Sequence, residues 1–186
     1  MDIVELQHIY AGHPNAKALA AEWENPSVRT VFLGGLHTSA SPLFFSALVK
    51  EQSHTFVFIL SDLEEAGYFY HDLVQINGDA EVLMFPSSYR RAIKYGQKDA
   101  AYEILRTEVL SRLQKQEKVC IVTYPDALAE KVNPLIISQL KYALAVRRSY
   151  IVLRNVRSVM RDIRPKGIFS YSSASSAYHF LIGLSR

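Results

Sequence analysis

Four short apolar runs punctuate the first two thirds of the chain: Thr30 to Leu33, Thr55 to Leu60, Glu81 to Phe85 and Val119 to Thr123. The second (TFVFIL) and fourth (VCIVT) are almost continuous in apolar and β-branched residues, the pattern of strands covered on both faces. Between the runs, apolar positions recur at helical spacing. Pro42 to Glu51 sets Leu43, Phe44, Ala47 and Leu48 on one side. Leu63 to Gln75 follows Ser61 or Asp62 as an N-cap, with Glu64 and Glu65 in the first turn, where the helix dipole favours carboxylates. From about Asp99 to Gln116, the residues Ala101, Ile104, Leu105, Val109, Leu110 and Leu113 form an apolar stripe, and Arg106, Arg112 and Lys115 are expected to face outward. The opening stretch, Ile3 to Glu24, reads as one or two helices broken at Gly12, His13 and Pro14, covering an edge or face of a sheet.

Strands alternating with helices predict right-handed crossovers. The expected fold is therefore α/β: a three-layer parallel sheet with helices on both faces. This pattern fades after Val132. Leu135 to Met160 mixes apolar residues with Arg without a sustained period, and the chain then turns serine-rich (FSYSSASSAYHF), so no single structure is predicted there. Charge sharpens the boundary. Residues 1–131 carry 12 Lys/Arg against 17 Asp/Glu, whereas residues 132–186 carry 9 Lys/Arg against one acid, Asp162. Such a jump marks either a nucleic-acid-binding tail or a segment foreign to the domain before it.

Composition narrows the class. At 186 residues, 49% hydrophobic and 21% charged, the chain suffices for one good core. No apolar run reaches the roughly 18 to 20 residues that a membrane span requires. The opening MDIVELQHIY is acidic and predicts no secretory signal. One cysteine, Cys120, precludes an internal disulfide and suits a reducing cytoplasm; within its apolar run it reads as a buried structural thiol.

Candidate chemistry gathers where the first strand ends, at Gly34-Gly35-Leu36-His37-Thr38-Ser39-Ala40-Ser41-Pro42, before a helix. Phosphates bind at such strand–turn–helix junctions because the helix N-terminus offers free amides. A working phosphate loop reads G-x-x-x-x-G-K-[ST]. Aligned on Gly35, the second glycine falls on Ala40, the lysine on Ser41 and the magnesium-binding hydroxyl on Pro42. No cation reaches the β- and γ-phosphates and one magnesium ligand is lost, so nucleotide hydrolysis is not expected. Two readings remain: a plain strand-to-helix turn of small residues, or an anion site built from backbone amides with Thr38, Ser39 and Ser41. Pro42 suits a first helical turn in either case.

Other clusters are weaker. His8, His13, His37, His54, His71 and His179 lack metal-ligand spacing. Tyr70, His71 and Asp72 read as a helix face. Arg90, Arg91, Lys94 and Lys98, interleaved with Tyr89 and Tyr95, form a basic-aromatic connector able to contact nucleic acid through phosphates and stacking, or simply to stand in solvent.

The order of the pieces brings a family into view. GGLHTSASPLFFSALV, FVFILSDLEEAGYFYHDLV, VLMFPSSYRRAIKYGQKDAAYEILRTEVLSRL and VCIVTYPDALAEKV resemble the start of the bacterial transcription-repair coupling factor, which is similar there to the excision-repair protein UvrB. The resemblance covers residues 5–132. Its more specific parts are the degenerate phosphate loop, Asp62 to Phe69, the Phe85-Pro86-Ser87 turn, the helix around Arg106, and Val122 to Leu128. It implies a helicase-like domain, residues 1–132, that has lost ATPase function and needs no cofactor, so no enzyme activity is expected of this chain. In the full-length family protein a motor further along the chain displaces stalled RNA polymerase on DNA, and a neighbouring domain recruits UvrA. Beyond Val132 that UvrA-binding domain would begin, with a mixed acidic and basic pattern. Residues 133–186 are instead Arg-rich and acid-poor, with only FSYSS resembling a later family segment. A truncated or aberrant start of that domain is expected, with weak or no binding of UvrA, and no UvrA-contacting residue carries over. The competing reading is a small stand-alone α/β protein holding a nucleotide or phosphorylated ligand at Gly34 to Ser41.

Overall fold

The structure is a computed structural model that describes residues 2–24, 30–33, 36, 38–51, 55–89, 99–115, 118–130, 150–153 and 180–183. Two helices open the chain. In α1 (Ile3–Gly12) Asp2 accepts from the Glu5 amide while the Glu5 carboxylate accepts from the Asp2 amide, a reciprocal cap that satisfies two otherwise unpaired donors. The chain turns extended at His13 and restarts at Pro14, the first residue of α2 (Pro14–Glu24), where a missing N–H costs nothing. This is the expected break.

The strands fall where the apolar runs predict: β1 (Thr30–Leu33), β2 (Phe56–Ile59), β3 (Val82–Phe85) and β4 (Cys120–Thr123). Between them lie α3 (Ala40–Glu51), α4 (Leu63–Asn77) and α5 (Ala100–Gln114), and a short α6 (Pro125–Ala129) follows β4. Asp62 rather than Ser61 caps α4, accepting from the Glu65 amide at 2.9 Å. Asp99 caps α5 through the Ala101 amide. Gly78 ends α4 at φ +87°, ψ 161°, a backbone conformation that side chains with a Cβ rarely adopt.

Every residue of β2, β3 and β4 is buried, so these strands are covered on both faces. β2, β3 and β4 run parallel, with β4 between the other two. Two further strands come from the arginine-rich segment, β5 (Tyr150–Leu153) and β6 (Phe180–Gly183). They extend the sheet to the order β1-β6-β5-β2-β4-β3. β5 is parallel to β2, but β6 runs antiparallel to both β5 and β1. The fold is thus a mixed α/β architecture, and the all-parallel sheet expected from the sequence is corrected at β6. Crossover helices dictate parallel neighbours, and no helical period precedes Phe180.

An aromatic chain joins the helices to the sheet. Phe45 of α3 meets Phe58 of β2 at 5.5 Å between ring centroids, and Phe58 meets Phe69 of α4 at 5.1 Å. Phe56, Leu73, Phe85, Val109 and Ile121 are fully buried around it. Outside this core, α1 is tied down by a polar contact. The Gln7 amide donates to Ser46 Oγ at 3.0 Å and to Asn77 Oδ1 at 3.3 Å, and Lys50 Nζ donates to Gln7 Oε1 at 2.8 Å.

One helix is turned relative to expectation. Arg106 of α5 faces inward and Ile104 is 67% exposed. The buried line runs through Arg106, Val109 and Leu110. The reason lies in the partners that receive the guanidinium.

Candidate functional site

The phosphate-loop position follows β1, which lies at one edge of the sheet. Gly34, Gly35 and His37 lie outside the described residues. Thr38 has φ +44°, and Ser39 follows it in the turn that leads into α3. Ala40 begins that helix, with Ser41 and Pro42 buried in its first turn. The Ser41 amide donates to the Thr38 carbonyl at 3.2 Å, and the Leu43 amide to the Ser39 carbonyl at 3.3 Å. Pro42 has no amide to give. An anion at a helix start relies on amides of this first turn pointing free. Here the Ser41 amide is used within the chain and Pro42 offers none. No basic side chain stands among Thr38 to Pro42 either. The position retains the strand–turn–helix outline, with the Ser41 amide engaged, no amide at Pro42 and no lysine beside them.

A second constellation lies at the carboxyl ends of β3 and β4. After β3 the chain passes Pro86, Ser87 and Ser88; after β4 it passes Tyr124 into α6 and out at Glu130. Arg106 stands between the two exits. Its Nη1 donates to the Pro86 carbonyl at 2.5 Å and to the Ala127 carbonyl at 3.2 Å, and lies 3.5 Å from Glu130 Oε2. The guanidinium also covers the Phe85 ring, 4.2 Å from its centroid. Glu130 gathers the other side: Oε2 accepts from the Ser87 hydroxyl at 3.0 Å and the Ser88 amide at 2.7 Å, and Oε1 from the Ser88 hydroxyl. The Tyr124 hydroxyl accepts from the Ser87 amide at 2.8 Å, and the Thr123 hydroxyl donates to the Phe85 carbonyl at 2.8 Å.

Both charged side chains are nearly closed off from solvent, Arg106 at 6% exposure and Glu130 at 9%. Their ionisation reflects this. Burial pushes the Glu130 carboxyl up, but hydrogen bonds from Ser88 and Ser87 and the Arg106 charge outweigh it, and the pKa falls below the usual 4.5. Burial lowers that of Arg106, against the opposing charge of Glu130. Arg106 Nη2 is buried with no hydrogen-bond partner among the described residues. Glu130 thus joins two exits of the sheet through a single carboxylate.

The sequence pattern did not reveal this cluster. Arg106 was expected to face outward because arginine ordinarily counts as polar in a helical stripe. A stripe of Tyr102, Arg106, Val109, Leu110 and Leu113 also follows helical spacing, and it was the available signal. Nothing local announces Glu130, which lies 24 residues beyond Arg106.

The remaining candidates divide simply. Arg90, Arg91, Lys94 and Lys98 lie outside the described residues. The Asp99 amide donates to the Ser88 carbonyl at 2.8 Å, so the two ends flanking that segment are bonded to each other. Tyr70 is half-buried on α4, and burial raises its pKa, helped by Asp79 and Glu108. Cys120 is buried in β4 as expected, and burial pushes its thiol up to about 12, away from nucleophilic chemistry. Among the described residues no group of three or more His, Cys, Asp or Glu is placed to hold a metal ion, and no helix is long and apolar enough to cross a membrane. No protein-family model matches the chain, and neither a curated protein nor a solved structure is found to be similar to it.

Proposed function

We propose that this chain is a non-catalytic interaction module of a transcription-coupled nucleotide excision repair protein, built on a helicase-like α/β domain. In the full-length protein it would pack against the motor that displaces stalled RNA polymerase and act beside the element that recruits UvrA. The observation that carries the reading is the Arg106 clasp. It interlocks three of the segments on which the resemblance rests: the Phe85-Pro86-Ser87 turn, the helix around Arg106, and the stretch from Val122 to Leu128. These residues spend their polar groups on one another, as a structural scaffold does. The first turn of α3 supports the same reading, since the Ser41 amide is engaged within the chain, Pro42 has none and no lysine stands beside them.

Isothermal calorimetry of the chain with magnesium and ATP tests the proposal directly. No saturable heat is expected. Micromolar, magnesium-dependent affinity would overturn the reading in favour of a stand-alone nucleotide-binding protein. Pull-down with UvrA is expected to recover little or none, because no docking domain is recognisable in the sequence of residues 133–186.

A further inference from the structure

We propose that Glu130 is the hub of a latch that makes the chain exits after β3 and β4 open and close as one unit. The inference does not rest on the repair reading. On one side stand Ser87 and Ser88, and Ser88 in turn holds the Asp99 amide at the start of α5. On the other side Glu130 follows α6 as its C-cap, and the Ala127 and Leu128 amides of that helix fold back onto the Tyr124 carbonyl. Arg106 bridges the two through the Pro86 and Ala127 carbonyls.

Three features make this a latch rather than two independent loop anchors. The same carboxylate oxygen, Oε2, serves both the serine side and Arg106, so neither side can release it without disturbing the other. The two charges are mutually dependent, because a buried guanidinium or carboxylate left alone is strongly disfavoured. Among the described residues Arg106 Nη2 also has no hydrogen-bond partner, so the closed state holds less than the full hydrogen-bonding capacity of that side chain. A charge pair so placed favours cooperative local opening over gradual fraying.

Amide hydrogen exchange by NMR on the full chain tests this, with Glu130→Gln as the principal variant. The reporters are two amides that Glu130 does not touch: Asp99 on the β3 side and Leu128 on the β4 side. Both are expected to exchange about tenfold faster or more in the variant, while Phe58 and Ile121 in the core strands keep their protection. A rise at one reporter alone, or no rise at either, would overturn the latch. If E130Q also loosens the core, Ser88→Ala serves instead, since it removes one donor and leaves the charge pair intact. It is expected to raise exchange at both reporters by a smaller factor. A response confined to Asp99 would show two separate anchors and sink the proposal.

Discussion

The chemistry of individual side chains follows from where the fold puts them. Glu130 is held ionised by its hydrogen bonds and by Arg106, below the ordinary carboxyl pKa of 4.5. A carboxyl with a depressed folded pKa contributes stability that is present above the unfolded value and is lost as pH falls through the folded one. The stability difference between the native chain and E130Q should therefore be largest near neutral pH and shrink as pH drops below about 4. Urea unfolding of both proteins across that range measures it; a gap that widens toward acid would contradict the arrangement. Cys120 makes the opposite case. Its thiol, at about 12, stays protonated and shielded in β4. A thiol reagent at pH 8 should label it only as urea unfolds the chain, and prompt labelling in native buffer would show this central strand less closed than the structure has it. The burial of Cys120 was legible from the run VCIVT. The state of Glu130 was not, since its partners come from residues 42 and 43 positions away in sequence as well as from Arg106.

The elements were mostly written in local pattern. Helix starts appear where capping residues precede apolar periodicity, and Asp2, Asp62 and Asp99 all act as caps. The end of α4 depends on Gly78, whose φ of +87° and ψ of 161° suit glycine alone. No neighbouring atom would collide with an added Cβ there, so the penalty is purely of backbone conformation. Gly78→Ala should cost about 1–3 kcal/mol in chemical denaturation, with Gly67→Ala, inside the same helix and equally uncrowded, neutral or stabilising by up to about 1 kcal/mol. Equal effects at the two positions would contradict a conformational origin. The turned face of α5 is the instructive miss. Helical period limits which residues share a stripe but cannot choose between two overlapping stripes. That choice went to the one whose arginine finds two carbonyls, a carboxylate and an aromatic ring.

At the scale of the whole molecule, stability rests on the aromatic chain that fastens α3 and α4 to β2. Phe58 is fully buried between Phe45 and Phe69. Phe58→Ala should cost about 3–5 kcal/mol, read as a lower urea midpoint, because both the transferred surface and the residual cavity count against the folded state. A loss under about 1 kcal/mol would mean that the core repacks freely around the site. The sequence by itself determined the alternation of helices and strands, the burial of β2 and β4, a cap at Ser61 or Asp62, and the absence of a lysine and a magnesium-binding hydroxyl before α3. These are consequences of spacing and side-chain chemistry within a few residues. Only the tertiary structure decided that β1 lies at an edge, that β6 from the arginine-rich segment runs against its neighbours, and that Arg106 and Glu130 meet in a closed clasp. Those features arise from pairing between distant parts of the chain, where backbone hydrogen bonding and the need to satisfy buried charge outweigh any local preference.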